Sequence, residues 1–223
     1  MTKTKRPKRA DGEATRARLL ESAGELFAEQ GYAETTGKAI AARANADIAS
    51  INYHFGNRDG LYRAVLVEAH RHFVRLETLD EIAAMNIPAS EKLRELIAMI
   101  LTNFGGSQHW SARVLMRELV SPSSNFEVLR REELPPKLTV ALGIISEITG
   151  IPSGDPALFY CFLSTAAPCA VLVLSGTVQL AQDRPQLPVQ DLIDHLHRFT
   201  LAGLQAAAKV SRNNVDITFQ KDV

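Results

Sequence analysis

Residues 35–62, TTGKAIAARANADIASINYHFGNRDGLY, decide the fold. A threonine, Thr35 or Thr36, is placed to cap a short helix over about Lys38–Ala44, with Ile40 and Ala41 inward. Asn45-Ala46-Asp47 follows as a tight turn, and asparagine tolerates the left-handed backbone that a glycine would otherwise supply there. Asp47 then caps a second short helix, Ile48 to about His54. Two short helices joined by a three-residue turn, packed on a preceding helix, make a helix-turn-helix.

The preceding helix is legible. From Glu13 to Gln30 the apolar residues Leu19, Leu20, Ala23, Leu26 and Phe27 share one helical stripe, and Gly31 follows as the residue that ends it. Beyond the motif, Leu61, Val65, Leu66, Ala69, Phe73 and Leu76 predict one long helix from about Arg58 to about Glu81, with Asn57 as its cap. Ser90 opens a helix that buries Leu93, Leu96, Ile97, Ile100, Leu101 and Phe104 and closes at Gly105. Another covers His109–Val120 and stops at Ser121-Pro122. Pro136 suits the first turn of a helix to Thr149, and Asp155-Pro156 opens a long apolar helix through about Gln182. Pro188 opens the last one, with Val189, Leu192, Leu196, Phe199 and Gly203 at near-heptad spacing. Ser121–Glu133 reads as a loop with a helical turn, and Ser211–Val223 as a frayed tail. With no sustained period-2 alternation, the expected class is all-α.

Charge first argues against a polyanionic partner, because 25 basic and 25 acidic residues cancel. The mean hides two halves. Residues 1–75 hold 13 basic against 9 acidic side chains, a balance of +4, and the remainder carries −4. Within the first eighteen residues the balance is +5. Such asymmetry fits either a basic module that meets a polyanion or a solubilising tail. No apolar stretch follows the basic start, as a secretory signal would require. The longest strictly apolar run, Ala166–Leu174, is nine residues and contains Pro168, against about 20 needed to span a bilayer. Cys161 and Cys169, eight residues apart on one helix, would be separated by about 12 Å of rise, too far for a disulfide. The expectation is a cytoplasmic protein with two inert thiols and no membrane span.

Residues 13–65 resemble the DNA-binding domain of the TetR family of bacterial transcriptional regulators. The resemblance rests on Phe27 and Gly31-Tyr32 at the end of one helix, the Thr-capped helix and turn, then Tyr53-His54-Phe55 close to Asn57-Arg58-Asp59-Gly60-Leu61. The family's turn usually reads Ala-Gly-Val, whereas this chain has Ala44-Asn45-Ala46. Partition into a basic arm (1–12), a DNA-binding domain (13–60), a helical effector-binding and dimerisation domain (61–209) and a tail (210–223) follows.

The second helix of such a motif enters the major groove with its N-terminal residues at base edges. Base reading would fall to Ala49, Ser50 and Asn52, since Asn pairs with adenine and Ala meets a thymine methyl. Thr36, Lys38 and the Asn57/Arg58 start suit phosphates at helix N-termini. Tyr53 and His54 resemble the family's phosphate contacts, Tyr53 with a share in packing, while Phe55 plugs the core. Lys3–Arg9 is either a minor-groove arm or a solvated tail.

The resemblance implies a homodimer formed by the last two long helices on a palindromic double-stranded operator, with a small-molecule effector bound among the C-terminal helices. RVLMRELVSPS at Arg113–Ser123 and Leu163–Cys169 are similar to the CecR-type subfamily. Pocket candidates are Phe104, Trp110, Arg113, Met116, Arg117, Phe159, Phe162 and Cys169, a set that favours an aromatic or anionic effector. Arg113 and Arg117 have a simpler alternative, pairing with Glu118 or facing solvent. Residues 85–208 carry no nucleophile elbow, Walker loop or dinucleotide glycine cluster. His70/His72 and His195/His197, spaced i, i+2, diverge on a helix and are expected on exposed faces. No metal or cofactor is therefore expected. The leading expectation is a repressor released by its effector; an enzyme housed in the helical domain and a constitutive DNA-binding protein are the alternatives.

Overall fold

The computed structural model describes residues 7–102, 110–175 and 188–219, with side-chain surroundings for 11–102, 110–172 and 188–209. These residues form helices and no strand. The helices are α1 (Pro7–Gln30), α2 (Gly37–Arg43), α3 (Ala49–Phe55), α4 (Arg58–Phe73), α5 (Leu76–Ala84), α6 (Ala89–Thr102) and α7 (Trp110–Val120). After them come α8 (Phe126–Val128), a π-helical segment Leu129–Glu133, α9 (Leu134–Thr149), α10 (Pro156–Ser175) and α11 (Val189–Phe219).

Packing divides the chain into two compact units, Met1–His72 with Gln108–Glu133, and Phe73–Ser107 with Leu134–Val223. The first unit is discontinuous, so α7 and α8 pack with the N-terminal helices although the sequence boundary at 60/61 assigns them to the C-terminal part. Its core joins Leu19, Ala23, Leu26 and Phe27 of α1 with Ile40, Ile51, Leu61, Val65, Leu66, Trp110 and Val114. The second unit has two cores, the larger around Leu93, Ile97, Ile145, Leu158, Cys161, Cys169, Ile193 and Leu204. The smaller one holds Leu79, Ile82, Leu96 and Ile144.

Several expectations need correction. The long helix over Arg58–Glu81 is two helices, broken where Arg75 is extended (φ −85°, ψ 134°). The apolar stripe runs on from Phe73 to Leu76, but Leu61–Ala69 serve one core and Leu79 and Ile82 another, so a single straight stripe does not describe both. The expected loop at Ser121–Glu133 becomes helical from Phe126 and enters α9 through the π segment. Pro135 and Pro136 explain the widening, since their rings crowd the carbonyls four residues back and supply no N–H to them. The first helix starts at Pro7, inside the supposed arm, and the last continues to Phe219, where a frayed tail was expected. His70 and His197 are half-buried, not exposed; His197 Nε2 lies 2.9 Å from the Ser90 carbonyl. The expected ends of the helices at Gly105 and Gln182, and Lys3–Arg6, lie outside the described residues.

Among the described residues no helix is long and apolar enough to cross a membrane. No group of three His, Cys, Asp or Glu side chains there could hold a metal ion.

Candidate nucleic-acid interface

Local chemistry builds the helix-turn-helix. Thr35 and Thr36 divide the work that the sequence left open between them. Thr36 is the cap, its hydroxyl accepting from the Ala39 N–H at 3.1 Å. Thr35 is buried, and its hydroxyl donates to the Gly31 carbonyl at 2.7 Å, tying the end of α1 to the start of α2. The turn between α2 and α3 places Asn45 at φ 47°, so asparagine does take the left-handed role. Asp47 accepts from the Ala49 N–H at 2.7 Å and opens α3. Asn57 accepts from the Gly60 N–H at 2.7 Å and opens α4.

The helix α3 buries Ile51 and turns the opposite face outward. Ala49 and Asn52 are exposed, Ser50 and His54 half-buried. Tyr53 is 84% exposed, so packing contributes little to it, whereas Phe55 packs against the core of the unit. Thr36 and Lys38 lie exposed at the start of α2. Sequence reasoning missed Ile48, which is 54% exposed beside Ala49. Its spacing of three from Ile51 suggests an inward residue, and only the neighbours around α3 show otherwise.

The arginines are more committed than their charge suggests. Arg43 makes a bidentate pair with Glu29, both bonds 3.0 Å, and reaches Glu25 at 3.6 Å. The hydrogen bond from Arg43 holds the Glu29 carboxyl below its usual range. Arg58 is half-buried; its Nη1 donates to the Thr35 carbonyl at 2.9 Å and its guanidinium lies 4.3 Å from the centre of the Tyr32 ring. Arg18 Nε donates to the Ala44 carbonyl at 3.3 Å, and Arg16 lies over the Phe55 ring at 5.2 Å.

Of the pocket candidates, Trp110, Arg113, Met116 and Arg117 belong to α7 in the first unit, and Phe159, Phe162 and Cys169 to α10 in the second. Phe104 lies outside the described residues. Trp110 is buried against Gly24, where an added Cβ would lie 2.3 Å from the indole ring. Arg117 does not pair with Glu118; it donates to the Ala28 and Glu29 carbonyls at 3.3 and 3.2 Å, satisfying acceptors that every helix end leaves open. Glu118 is instead buried, accepting from the Tyr62 hydroxyl at 2.6 Å and the Ser123 N–H at 2.9 Å. Burial, and next the Glu118 contact, push the Tyr62 hydroxyl well above its ordinary pKa. Arg113 is exposed and Met116 half-buried. On α10, Phe159 and Phe162 stack with centroids 6.0 Å apart, Phe162 the more buried. Cys169 is buried, and desolvation pushes its thiol to about 11.

The last two helices also expose large apolar side chains. Tyr160, Leu163 and Val171 of α10 and Phe199 of α11 are 65%, 45%, 62% and 72% exposed. Beside Phe199 the small residues Ala202, Gly203 and Ala206 are exposed too.

Comparison with known proteins agrees with this architecture. Residues 19–65 match the family described as "Bacterial regulatory proteins, tetR family". Residues 89–204 match the C-terminal domain of the "HTH-type transcriptional dual regulator CecR". The chain is 26% identical over 156 residues to the CecR regulator of Shigella flexneri, covering 65% of this chain and 69% of that protein. It is 30% identical over 102 residues to the transcriptional regulator BetI of Burkholderia cenocepacia, covering 46% of this chain and only 50% of BetI. Among solved structures, FadR of Bacillus subtilis in complex with stearoyl-CoA superposes with a TM-score of 0.67 at 21% identity, covering 84% of this chain and 98% of that one. That likeness is one of fold.

Proposed function

The chain belongs to the tetR family of bacterial regulatory proteins, DNA-binding regulators of transcription, and on that premise we propose a dimeric repressor released from a palindromic operator by a small-molecule effector. The observation that carries this reading is the α3 surface. A helix held by Ile51 on one side leaves Ala49, Asn52 and Tyr53 in solvent on the other. In this reading Ala49, Ser50 and Asn52 meet base edges, and Thr36, Lys38, Tyr53 and His54 meet the backbone on either side of the groove.

Dimerisation uses the outer faces of α10 and α11, whose large exposed apolar side chains would otherwise remain in water. The effector lies within the unit formed by α5, α6 and α9–α11, where Phe162 and Cys169 of α10 face or border the core. If it favours a recognition-helix spacing that misfits the operator, it weakens DNA binding by the same factor that DNA weakens it. The path to α3 runs through α4, which ends at Phe73 instead of continuing as a single lever.

The test begins with a duplex selected from a random-sequence pool by the full chain. Its affinity is expected to fall at least about tenfold between 50 and 200 mM salt, although the whole molecule is neutral. An affinity no greater than for unrelated DNA, or one indifferent to salt, would overturn DNA recognition by this surface. Stearoyl-CoA, the ligand of the Bacillus subtilis FadR complex, and aromatic acids are the first effector probes. A probe that binds without lowering operator affinity argues against release. In a reporter strain, loss of the gene should raise transcription from the operator-bearing promoter; a fall would make the protein an activator there.

A further inference from the structure

We propose that Arg58 and Arg18 are positioning residues for DNA recognition, holding the two carbonyls that bracket α2 and thereby fixing the angle at which α3 is presented. The proposal rests on the reading of α3 as the recognition helix.

The need for such anchors follows from size. The helices α2 and α3 have seven residues each, below the length at which a helix is stable alone. Their buried side chains are few: Ile40 and Ala41 from α2, Ile51 from α3. Three buried side chains, one of them alanine, with Phe55 half-buried against the same core, constrain depth better than rotation.

The polar contacts supply what packing lacks. Ahead of α2, Arg58 reaches back from α4 to the Thr35 carbonyl at 2.9 Å while its guanidinium covers the Tyr32 ring at 4.3 Å. Tyr32 is itself fixed on the other side, its hydroxyl donating to Asp59. Behind α2, Arg18 of α1 donates to the Ala44 carbonyl at 3.3 Å, one of the acceptors that a helix C-terminus leaves open and where a cation is favourable. Thr15 accepts a second bond from Arg18 at 3.2 Å. The Arg43–Glu29 pair holds the last turn of α2 to α1 between these two points. One arginine from each flanking helix thus grips one end of α2. In this role the planar fork and its face matter, and a lysine has neither.

The experiment compares the selected operator duplex with an unrelated duplex, for the wild-type chain and for Arg58→Lys, Arg58→Ala and Arg18→Ala, below the unfolding temperature of each. Failure of the wild type to prefer the operator would defeat the recognition reading itself. Given that preference, the proposal expects all three variants to lose at least about tenfold on the operator. Binding to unrelated DNA, which is mainly electrostatic, should stay within about twofold with an unchanged salt slope. A phosphate-contacting Arg58 would behave differently. Arg58→Lys would stay within about threefold of wild type, and Arg58→Ala would weaken both duplexes, with a slope shallower by about 0.9 per subunit. A lower thermal midpoint with the operator preference retained would mean support of the fold only. Either result overturns the proposal. Should Arg58→Ala not fold, Arg58→Lys and Arg18→Ala decide it by the same criteria.

Discussion

At Gly60 an added Cβ would lie 2.0 Å from the Phe55 carbonyl oxygen, so the first turn of α4 passes the end of α3 only because position 60 has no side chain. In an open helix Gly→Ala gains up to about 1 kcal/mol of helix propensity. Here the obstacle is backbone, which cannot swing aside, and the overpacking cost of about 1–3 kcal/mol should win. Gly60→Ala is expected to lower the thermal midpoint and operator affinity together; a more stable protein with full affinity would show that α4 can shift freely. A glycine in this place could not be interpreted from the sequence, because the oxygen it accommodates lies across a turn. The threonines were similarly undecided. Either satisfies the capping pattern, and the choice rests on which hydroxyl points to Ala39 and which is buried under Gly31.

At the scale of elements, α7 changes allegiance. Its sequence position puts it among the C-terminal helices, yet it packs on α1 through Trp110 against Gly24 and through Arg117 on the last α1 carbonyls. Gly24→Ala should therefore destabilise the first unit by about 1–3 kcal/mol in urea unfolding, since the indole is buried on all sides. Trp110→Leu in the same chain should recover part of that loss, with a coupling of at least about 0.5 kcal/mol. Strict additivity of the two changes would show that the contact is not what excludes a side chain at 24. Most helices were readable from apolar stripes and caps such as Asp155, which accepts from the Ala157 N–H at 2.8 Å. Where one helix became two, the stripe continued across the break at Arg75 and gave no warning. Where a loop became helix, the polar residues Arg130 and Arg131 were occupied with Glu127 on the helix surface. Their bonds hold the Glu127 carboxyl down at about 2.

For the whole molecule, the proposed dimer makes the exposed stripe of α11 the surface to test. Phe199, 72% exposed with small residues around it, is the side chain that a partner subunit would cover. Phe199→Glu is expected to turn a dimer into a monomer in sedimentation velocity, with operator affinity lower by about a hundredfold as the second half-site contact becomes a separate event. A dimer that survives the substitution would place the interface elsewhere. The same scale explains the cancelled net charge, which sums a +4 N-terminal third and a −4 remainder and says nothing against nucleic acid. Two of the basic side chains behind that +4, Arg58 and Arg18, are engaged inside the fold on the carbonyls of Thr35 and Ala44.

The all-α class and the helix-turn-helix were legible in the sequence, because periodicity, caps and turns are written in neighbours a few positions apart, whereas the exposure of Ile48 and Tyr53 at the α3 surface was not. Tertiary structure alone decided that α7 belongs with α1, that Glu118 meets Tyr62 across 56 residues of chain, and that Arg58 leans on Tyr32. It also put four of the described pocket candidates on α7 of the first unit and three on α10 of the second. Those outcomes depend on which distant surfaces share a core, and local chemistry carries no record of that partnership.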